Sequence, residues 1–201
     1  MRKFIDIVET ITETTRPKFG FDIDTVWYHG SPKDFEDFDL SHVGKGTDAN
    51  GSGFYFTSDP TEVVYYGKVK SVYLRLDKEV SRTRPLTKNQ IRYLLLHGDE
   101  DMLENFGDLS TTHKSVVVNN ATQIYSDLPA YDAMITISND FYRGNENEFL
   151  VRFVKITKCN HITAENKRHV VMFDPRDIIF ANQISQLEKN VDGKMVRYNN
   201  P

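Results

Sequence analysis

The chain has 201 residues, of which 39% are hydrophobic and 27% charged, which is the composition of an ordinary folded domain rather than of a disordered segment. Its net charge of −4, from 25 basic and 29 acidic side chains, excludes the broad basic surface that extensive DNA or RNA binding requires. The single cysteine, Cys159, excludes an intramolecular disulfide and any multi-cysteine metal site, and we expect no metal cofactor.

The first twenty residues predict a short amphipathic helix, which Pro17 and Gly20 end. The side chains on its apolar face are Phe4, Ile5, Ile7, Val8 and Ile11. We expect this helix to dock on the chain's own core, with docking on a partner as the alternative. The segment lacks the apolar run of a signal peptide, and no stretch of the sequence approaches the length of a membrane span. We therefore expect a cytoplasmic protein without membrane contact.

From Thr25 onward, short apolar runs separated by Gly, Pro, Asn and Asp predict a β-rich domain. The predicted strands are Thr25–His29, Gly53–Thr57, Ser71–Leu76, Ala133–Ile137, Glu148–Ile156 and His169–Phe173. The predicted helices are Pro60–Tyr66, Lys88–Leu96 and a third within Met102–Phe106 or Asn119–Ser126. Residues 44–53, with four glycines, predict a mobile loop. The expected organisation is an α+β fold with a helix over 1–20, one domain over 21–186 and a polar tail over 187–201.

The segment Trp27–Ser31 ends the first predicted strand in a tight turn. His29, Gly30 and Ser31 place an imidazole, an unshielded backbone amide and a hydroxyl within reach of one ligand. A surface histidine beside a turn would have the same sequence, so this segment alone does not identify a site.

A glycine loop leads into an aromatic strand over residues 51–58. Strand alternation places Phe54 and Phe56 on the core face and leaves Tyr55 to line a cleft. No Gly-Lys-Ser/Thr follows the glycines, and no helix begins there. The loop is therefore neither a P-loop nor a dinucleotide-binding fingerprint.

Two carboxylates, Glu146 and Glu148, lie at the start of a predicted strand. In an extended chain, a spacing of two places them on the same face. Glutamates in this arrangement usually form a solvated edge. Here they follow the aromatic, glycine-containing loop Phe141–Asn145 and lead into a strongly apolar run, which favours a functional pair.

Together these segments resemble the ADP-ribosyltransferase superfamily over residues 25–182. The His-Gly-Ser turn and the Gly-Phe-Tyr-Phe strand are similar to the first two motifs of the His-Tyr-Glu branch, which includes diphtheria-type toxins and poly(ADP-ribose) polymerases. With Tyr131–Met134 and Val171–Pro175, they look most like the transferase domains of phage and mobile-element polyvalent proteins. The resemblance implies a split β-sheet core with flanking helices, and NAD as the co-substrate.

The third motif departs from the polyvalent-protein pattern. Those domains tend to have a glutamate just before the final strand, where this sequence has Arg168 and His169. The Glu146–Glu148 turn is instead similar to the Glu-x-Glu turn of bacterial mono-ADP-ribosyltransferase toxins, in which an aromatic loop precedes the turn and a last strand follows it. Asp177 is a second candidate for the catalytic acid.

The resemblance implies that the first two motifs bind NAD. His29 would hydrogen-bond the adenosine-side ribose, and Gly30 would offer its backbone groups to the nicotinamide amide, assisted by Ser31. Tyr55 and Tyr66 would stack on the nicotinamide ring, with the tyrosine that precedes Tyr66 as the alternative. We expect these side chains to line one cleft together with the catalytic acid.

The same resemblance assigns catalytic roles to the two glutamates. Glu148 would stabilise the positive charge that develops on the ribose as the bond to nicotinamide breaks, since this transition state has oxocarbenium character. Glu146 would orient or deprotonate the acceptor as a general base, and in the resembling toxins that glutamate goes with arginine as the acceptor.

We therefore expect a glycosyltransferase that moves ADP-ribose from NAD to a protein, preferably to arginine, as a toxin-like effector encoded by a phage or mobile element. Poly(ADP-ribose) synthesis is not expected, because a Glu-x-Glu turn matches single transfer. Two alternatives remain open. An NAD glycohydrolase would need His29, Tyr55 and Glu148 but no acceptor site, whereas a module that only binds NAD, ADP-ribose or a partner would explain the displaced third motif.

Overall fold

A computed structural model of the chain describes residues 21–44, 51–164 and 166–183. The predicted N-terminal helix, residues 45–50 of the glycine loop and the predicted polar tail lie outside the described residues. The chain divides into two compact units. Of the described residues, the first unit holds 21–34, 57–76 and 176–183, and the second holds 35–44, 51–56, 77–164 and 166–175.

The described residues form six β-strands, four α-helices and several short 3-10 helices. The strands are β1 (Phe21–Ser31), β2 (Phe54–Thr57), β3 (Lys68–Arg75), β4 (His161–Thr163), β5 (His169–Met172) and β6 (Ile178–Phe180). The α-helices are α1 (Lys88–Leu96), α2 (Lys114–Ser126), α3 (Ala130–Phe141) and α4 (Glu146–Thr157). Short 3-10 helices cover Leu40–His42, Pro60–Glu62, Val64–Tyr66, Asp101–Phe106 and Pro175–Asp177.

The first unit is built on three antiparallel strands in the order β1-β3-β6. His29 lies opposite Lys70, and Phe21 lies opposite Arg75 at the other end of the same strand pair. Two 3-10 turns, Pro60–Glu62 and Val64–Tyr66, lead into β3. The unit therefore places the end of β1 beside the segment that precedes β3.

The second unit contains strands in the order β4-β5-β2 and the four α-helices. A capping box begins α1, in which Thr87 accepts from the Gln90 backbone and the Gln90 side chain accepts from Thr87. Aromatic side chains with almost no exposure fill its core. These side chains include Phe56, Phe141, Phe149, Phe153 and Phe173.

Two predicted strands are wrong, because Ala133–Ile137 lies within α3 and Glu148–Ile156 lies within α4. The buried side chains of α3 are spaced by three and four residues and continue beyond the apolar run, as in Met134, Ile137 and Phe141. Those of α4 show the same spacing. A short run rich in β-branched residues does not distinguish a strand from a buried helix. In both segments, the spacing of the buried residues by three and four is that of a helix.

The other predicted elements are present with small changes at their ends. The structure confirms four predicted strands as parts of β1, β2, β3 and β5, and it confirms the helix Lys88–Leu96. The predicted helix Pro60–Tyr66 is a pair of 3-10 turns that meet at Val63. The third predicted helix corresponds to α2, with a separate 3-10 segment at Asp101–Phe106. The expected α+β class is thus confirmed, and among the described residues no helix has the length and apolar character needed to cross a bilayer.

Candidate functional site

The first motif occupies the C-terminal end of β1. Strand alternation places His29 and Ser31 on the same side of β1 as the buried Trp27, and Gly30 on the opposite side. The three motif residues are partly exposed. Across the strand pair, His29 faces Lys70, whose ammonium group forms an ion pair with Asp34. A cationic side chain therefore lies next to the histidine expected to hold the ribose.

The other face of β1 packs closely against the 3-10 turns. A Cβ added to Gly30 would lie 2.6 Å from the carbonyl oxygen of Val63 and 2.9 Å from Cβ of Tyr66. At the end of the turns, Gly67 has a φ of +111°, and a Cβ there would lie 2.9 Å from the carbonyl oxygen of Ser31. Both contacts require glycine, so the two glycines let the backbone of the first motif approach Tyr66 directly.

Tyr66 and its neighbour Tyr65 differ in how they relate to the first motif. Tyr65 is 90% exposed, whereas Tyr66 is 64% exposed and has its Cβ against Gly30. Of the two tyrosines considered from the sequence, Tyr66 is therefore the one in contact with the first motif. Its ring remains accessible to a planar ligand.

Asp177, the alternative acid, lies at the far end of the three-stranded sheet from His29. It precedes β6 and forms an ion pair with Arg75 at 3.5 Å, and Arg75 lies opposite Phe21. His29 lies opposite Lys70, so the two positions are separated by roughly 17 Å at about 3.3 Å per strand residue. This separation argues against Asp177 as the acid that acts beside His29.

In the second unit, β2 presents its residues as strand alternation predicts. Phe54 and Phe56 are buried and contact the ring of Phe38 at 5.3 and 5.4 Å between centroids. Tyr55 lies on the other side and is partly exposed, with its hydroxyl donating to the carbonyl oxygen of Gly51 at 2.6 Å. The predicted core positions are confirmed, and the Tyr55 ring is held by the glycine loop that precedes it.

Glu148 lies in the first turn of α4 rather than on a strand. Its carboxylate accepts hydrogen bonds from the guanidinium of Arg152 one turn later, with the Nε contact at 3.2 Å. This contact raises the pKa of Arg152. Exposed pairs of this i, i+4 type contribute about 0.3–0.5 kcal/mol, so breaking the pair would cost little. The ion pair therefore leaves Glu148 able to take another partner.

Glu146 begins α4 and faces away from Glu148, since two helical residues are separated by about 200° around the axis. The expectation of a common face is thus wrong. Glu146 accepts a hydrogen bond from the backbone N–H of Gly144 at 2.9 Å. It lines an open cleft of about 400 Å³ with Asn139, Asp140 and Arg143. Two carboxylates and one guanidinium therefore border this cleft.

The expected aromatic loop before the glutamates is part of the core. Phe141 ends α3 and is 1% exposed, and Tyr142 is 2% exposed and donates to the carbonyl oxygen of Leu94 at 2.7 Å. Burial raises the pKa of the Tyr142 hydroxyl. The Tyr142 ring packs against Phe149 of α4, with 5.2 Å between centroids. Because both rings are buried, they do not form a surface for an acceptor.

The position of the missing third-motif glutamate is occupied by the start of β5. His169 is the first residue of that strand, and its Nδ1 lies 2.9 Å from the amide nitrogen of Asn166. Arg168 precedes it and is exposed. Among these described residues no carboxylate replaces the missing glutamate at the strand start.

Sequence patterns did not indicate two residues that shape the first motif. Val63 supplies the carbonyl oxygen next to Gly30, and Glu62 bonds back to Thr57 at 2.7 Å. Asp59 caps the turn by accepting from the Thr61 backbone at 2.9 Å. The contacts that this turn makes with β1 depend on the fold, and a local sequence pattern does not show them.

A family model described as ADP-ribosyltransferase in polyvalent proteins matches residues 24–191, which is most of the chain. Comparison with curated proteins gives no significant match, and comparison with solved structures gives none either. The matched range includes the first two motifs, both glutamates and Asp177. The expected resemblance and the corresponding α+β fold are confirmed.

Proposed function

Because the chain belongs to the family of ADP-ribosyltransferases found in polyvalent proteins, we propose that it is a mono-ADP-ribosyltransferase that modifies a protein and releases nicotinamide. Enzymes of this kind transfer ADP-ribose and use NAD as their co-substrate. The observation that carries the proposal is the packing of Tyr66 against Gly30, which brings the second motif's aromatic side chain to the backbone of the first. An exposed ring beside the partly exposed first motif is suited to stack on a planar carboxamide such as nicotinamide.

The proposed roles in NAD binding follow the two motifs. His29 holds the adenosine-side ribose, Gly30 and Ser31 contact the nicotinamide amide, and Tyr55 and Tyr66 stack on the ring. Lys70, opposite His29, would have to exchange its ion-pair partner Asp34 for a phosphate to contact an anionic dinucleotide.

Glu148 is the proposed catalytic carboxylate. As the bond between nicotinamide and ribose breaks, positive charge develops on the ribose, and a carboxylate aimed there stabilises the transition state more than the ground state. The carboxylate of half-exposed Glu148 forms an i, i+4 pair with Arg152, which it could exchange for a contact with the ribose. The N-terminal turn of α4 stabilises its negative charge.

Glu146 is the proposed general base, and arginine is the proposed acceptor. Among its described residues, the cleft has the carboxylates of Glu146 and Asp140 against the single guanidinium of Arg143, and this net negative lining favours a cationic side chain from the target protein. Glu146 would orient the guanidinium and accept its proton; because it faces away from Glu148 around α4, its proposed contact is the acceptor rather than the ribose. We further propose that the protein acts in the host cytoplasm as a phage or mobile-element effector.

One observation favours a second function, which is a module that binds NAD, ADP-ribose or a protein without catalysis. The strand start that would be expected to carry the third-motif glutamate has Arg168 and His169, and Glu148 forms an ion pair on a helix. Such a module would retain NAD affinity through His29 and Tyr66 but would release no nicotinamide.

Incubation of the protein with radiolabelled NAD and a bacterial lysate separates these functions. Transfer of label to a discrete protein band supports the transferase, and nicotinamide release without a labelled band supports NAD hydrolysis. Binding of NAD in a calorimetric titration without either reaction supports the module. His29→Ala and Tyr55→Ala serve as variants, since each should weaken NAD binding. Unchanged NAD affinity in both variants would exclude these two residues from the site.

A further inference from the structure

The segment that joins β2 to β3 contains a carboxylate that the proposed reaction does not use. Glu62 ends the first 3-10 turn, and its Oε2 accepts a hydrogen bond from Oγ1 of Thr57 at 2.7 Å. Thr57 is 2% exposed, and Glu62 is partly buried. A charged side chain therefore reaches back from the turn to a buried hydroxyl at the end of β2.

The same hydroxyl also fixes the start of the turn. Oγ1 of Thr57 accepts a hydrogen bond from the backbone N–H of Asp59 at 3.1 Å. The Asp59 side chain in turn accepts from the backbone N–H of Thr61 at 2.9 Å. Thr57 itself is anchored, because it pairs with Tyr28 of β1. Both ends of the first 3-10 turn are thus tied to one residue of the sheet.

These bonds determine where Tyr66 lies. The backbone N–H of Val63 donates to the carbonyl oxygen of Pro60 at 3.3 Å, and that of Tyr66 donates to the carbonyl oxygen of Val63 at 3.1 Å. The second turn therefore continues directly from the residue that follows Glu62. Its Val63 oxygen and Tyr66 Cβ are the two atoms nearest to a Cβ added at Gly30.

We propose that Glu62 and Thr57 form a clamp that positions Tyr66 at the Gly30 end of β1 for contact with nicotinamide. This inference rests on the proposed function. Short 3-10 turns have poor hydrogen-bond geometry and little stability of their own, so the hydrogen bond that the buried Thr57 hydroxyl donates to Glu62 holds the segment in one conformation. Glu62 acts through Tyr66 and is a positioning residue.

The clamp predicts which variants retain NAD binding. Glu62→Ala and Thr57→Val remove the bond, whereas Glu62→Gln keeps an oxygen that can accept from Thr57. If the competent position of Tyr66 falls to about a tenth of the population, the apparent NAD affinity falls about tenfold. We expect this loss in the first two variants and near wild-type affinity in Glu62→Gln. Glu36→Ala, which removes an exposed carboxylate outside this segment, is the matched control.

The experiment measures KM for NAD and kcat for nicotinamide release in each variant, together with amide hydrogen exchange over residues 60–67. The expected result is a raised KM with kcat nearly unchanged, faster exchange in that segment and rescue of both by Glu62→Gln. Faster exchange with an unchanged KM would overturn the positioning role, and unchanged exchange would overturn the clamp. A wild-type chain that neither binds nor cleaves NAD would overturn the proposed function, and the exchange data alone would then decide whether Glu62 holds the segment.

Discussion

Gly30 lies so close to Val63 that any side chain at position 30 would collide with the carbonyl oxygen of Val63, with 2.6 Å between that oxygen and the added Cβ. The contact joins the first motif to the turn that contains Tyr66. It is made by backbone atoms, which cannot move aside as a flexible side chain can. The conformation of the first motif and that of the turn are therefore coupled.

Gly30→Ala should disrupt this contact. Overpacking of a closely packed position typically costs about 1–3 kcal/mol, so we expect a lower free energy of unfolding and a displaced Tyr66. Chemical denaturation measures the free energy of unfolding. A calorimetric NAD titration detects the displacement of Tyr66 as weakened NAD binding. Glu36→Ala, which changes an exposed side chain outside this contact, serves as the control. A Gly30→Ala variant as stable as the wild type would show that the contact is not rigid.

Tyr66→Ala and Tyr65→Ala should differ in their effect on NAD. Loss of a stacked ring costs about 0.5–1.5 kcal/mol beyond the area it buries, which corresponds to an affinity lower by about two- to tenfold. We expect this loss only in Tyr66→Ala, because Tyr66 packs against Gly30 whereas Tyr65 is 90% exposed. Titration of both variants with NAD measures the difference. A larger loss in Tyr65→Ala would reverse the assignment.

The strands of the candidate site were predictable from local sequence because they alternate. Phe54 and Phe56 point to the core and Tyr55 to the other face, which a period of two shows without any knowledge of the fold. The predicted helix Lys88–Leu96 coincides with α1, whose start Thr87 caps through local hydrogen bonds. Where a single segment determines its own structure, prediction from sequence was therefore adequate.

The glutamates show where prediction from sequence failed and why. The apolar run after Glu148 contains valine and isoleucine, which are typical of strands, and only burial against the rest of the second unit makes α4 a helix. The error changed the site, because two carboxylates that would share a face of a strand point apart on a helix. Similarly, Gly30 and Gly67 were visible as glycines, but the atoms they approach come from distant residues.

His161 should make stability depend on pH. It is 5% exposed on β4, its Nδ1 lies 2.9 Å from the side-chain oxygen of Asn160, and burial lowers its pKa despite the nearby carboxylates of Glu79 and Asp77. The unfolded chain, with a histidine pKa of about 6.5, then binds a proton before the folded chain does. Stability is therefore complete above about pH 6.5 and falls as the pH decreases below it.

The measurement is the free energy of unfolding between pH 8 and pH 5 for the wild type and His161→Gln. One proton contributes a slope of up to about 1.4 kcal/mol per pH unit, and the variant should lack this part of the slope. His42→Gln, at an exposed position, should keep the wild-type profile. Identical profiles for the wild type and His161→Gln would show that His161 does not titrate in this range.

Glu148→Gln should abolish both transfer and NAD hydrolysis while NAD binding remains nearly unchanged. Glutamine keeps the volume and hydrogen bonding but lacks the charge that stabilises the ribose cation, a loss of about 10²–10³ in rate. Nicotinamide release and NAD titration measure the two effects. Arg152→Gln is the control, because it breaks the same ion pair and leaves the carboxylate in place. If Arg152→Gln loses as much activity as Glu148→Gln, the ion pair rather than the carboxylate supports the reaction.

Glu146→Gln should stop transfer to protein and spare NAD hydrolysis, because water can attack the ribose without a residue that activates a guanidinium. The structure makes this separation possible, since Glu146 lines its own cleft and faces away from Glu148 around α4. Nicotinamide release and labelled-protein formation are measured side by side. Asn139→Ala, which removes a neutral side chain from the same cleft, should reduce transfer less. Full protein labelling by Glu146→Gln would reject arginine activation by this glutamate, even if Glu148 proves to be the catalytic carboxylate.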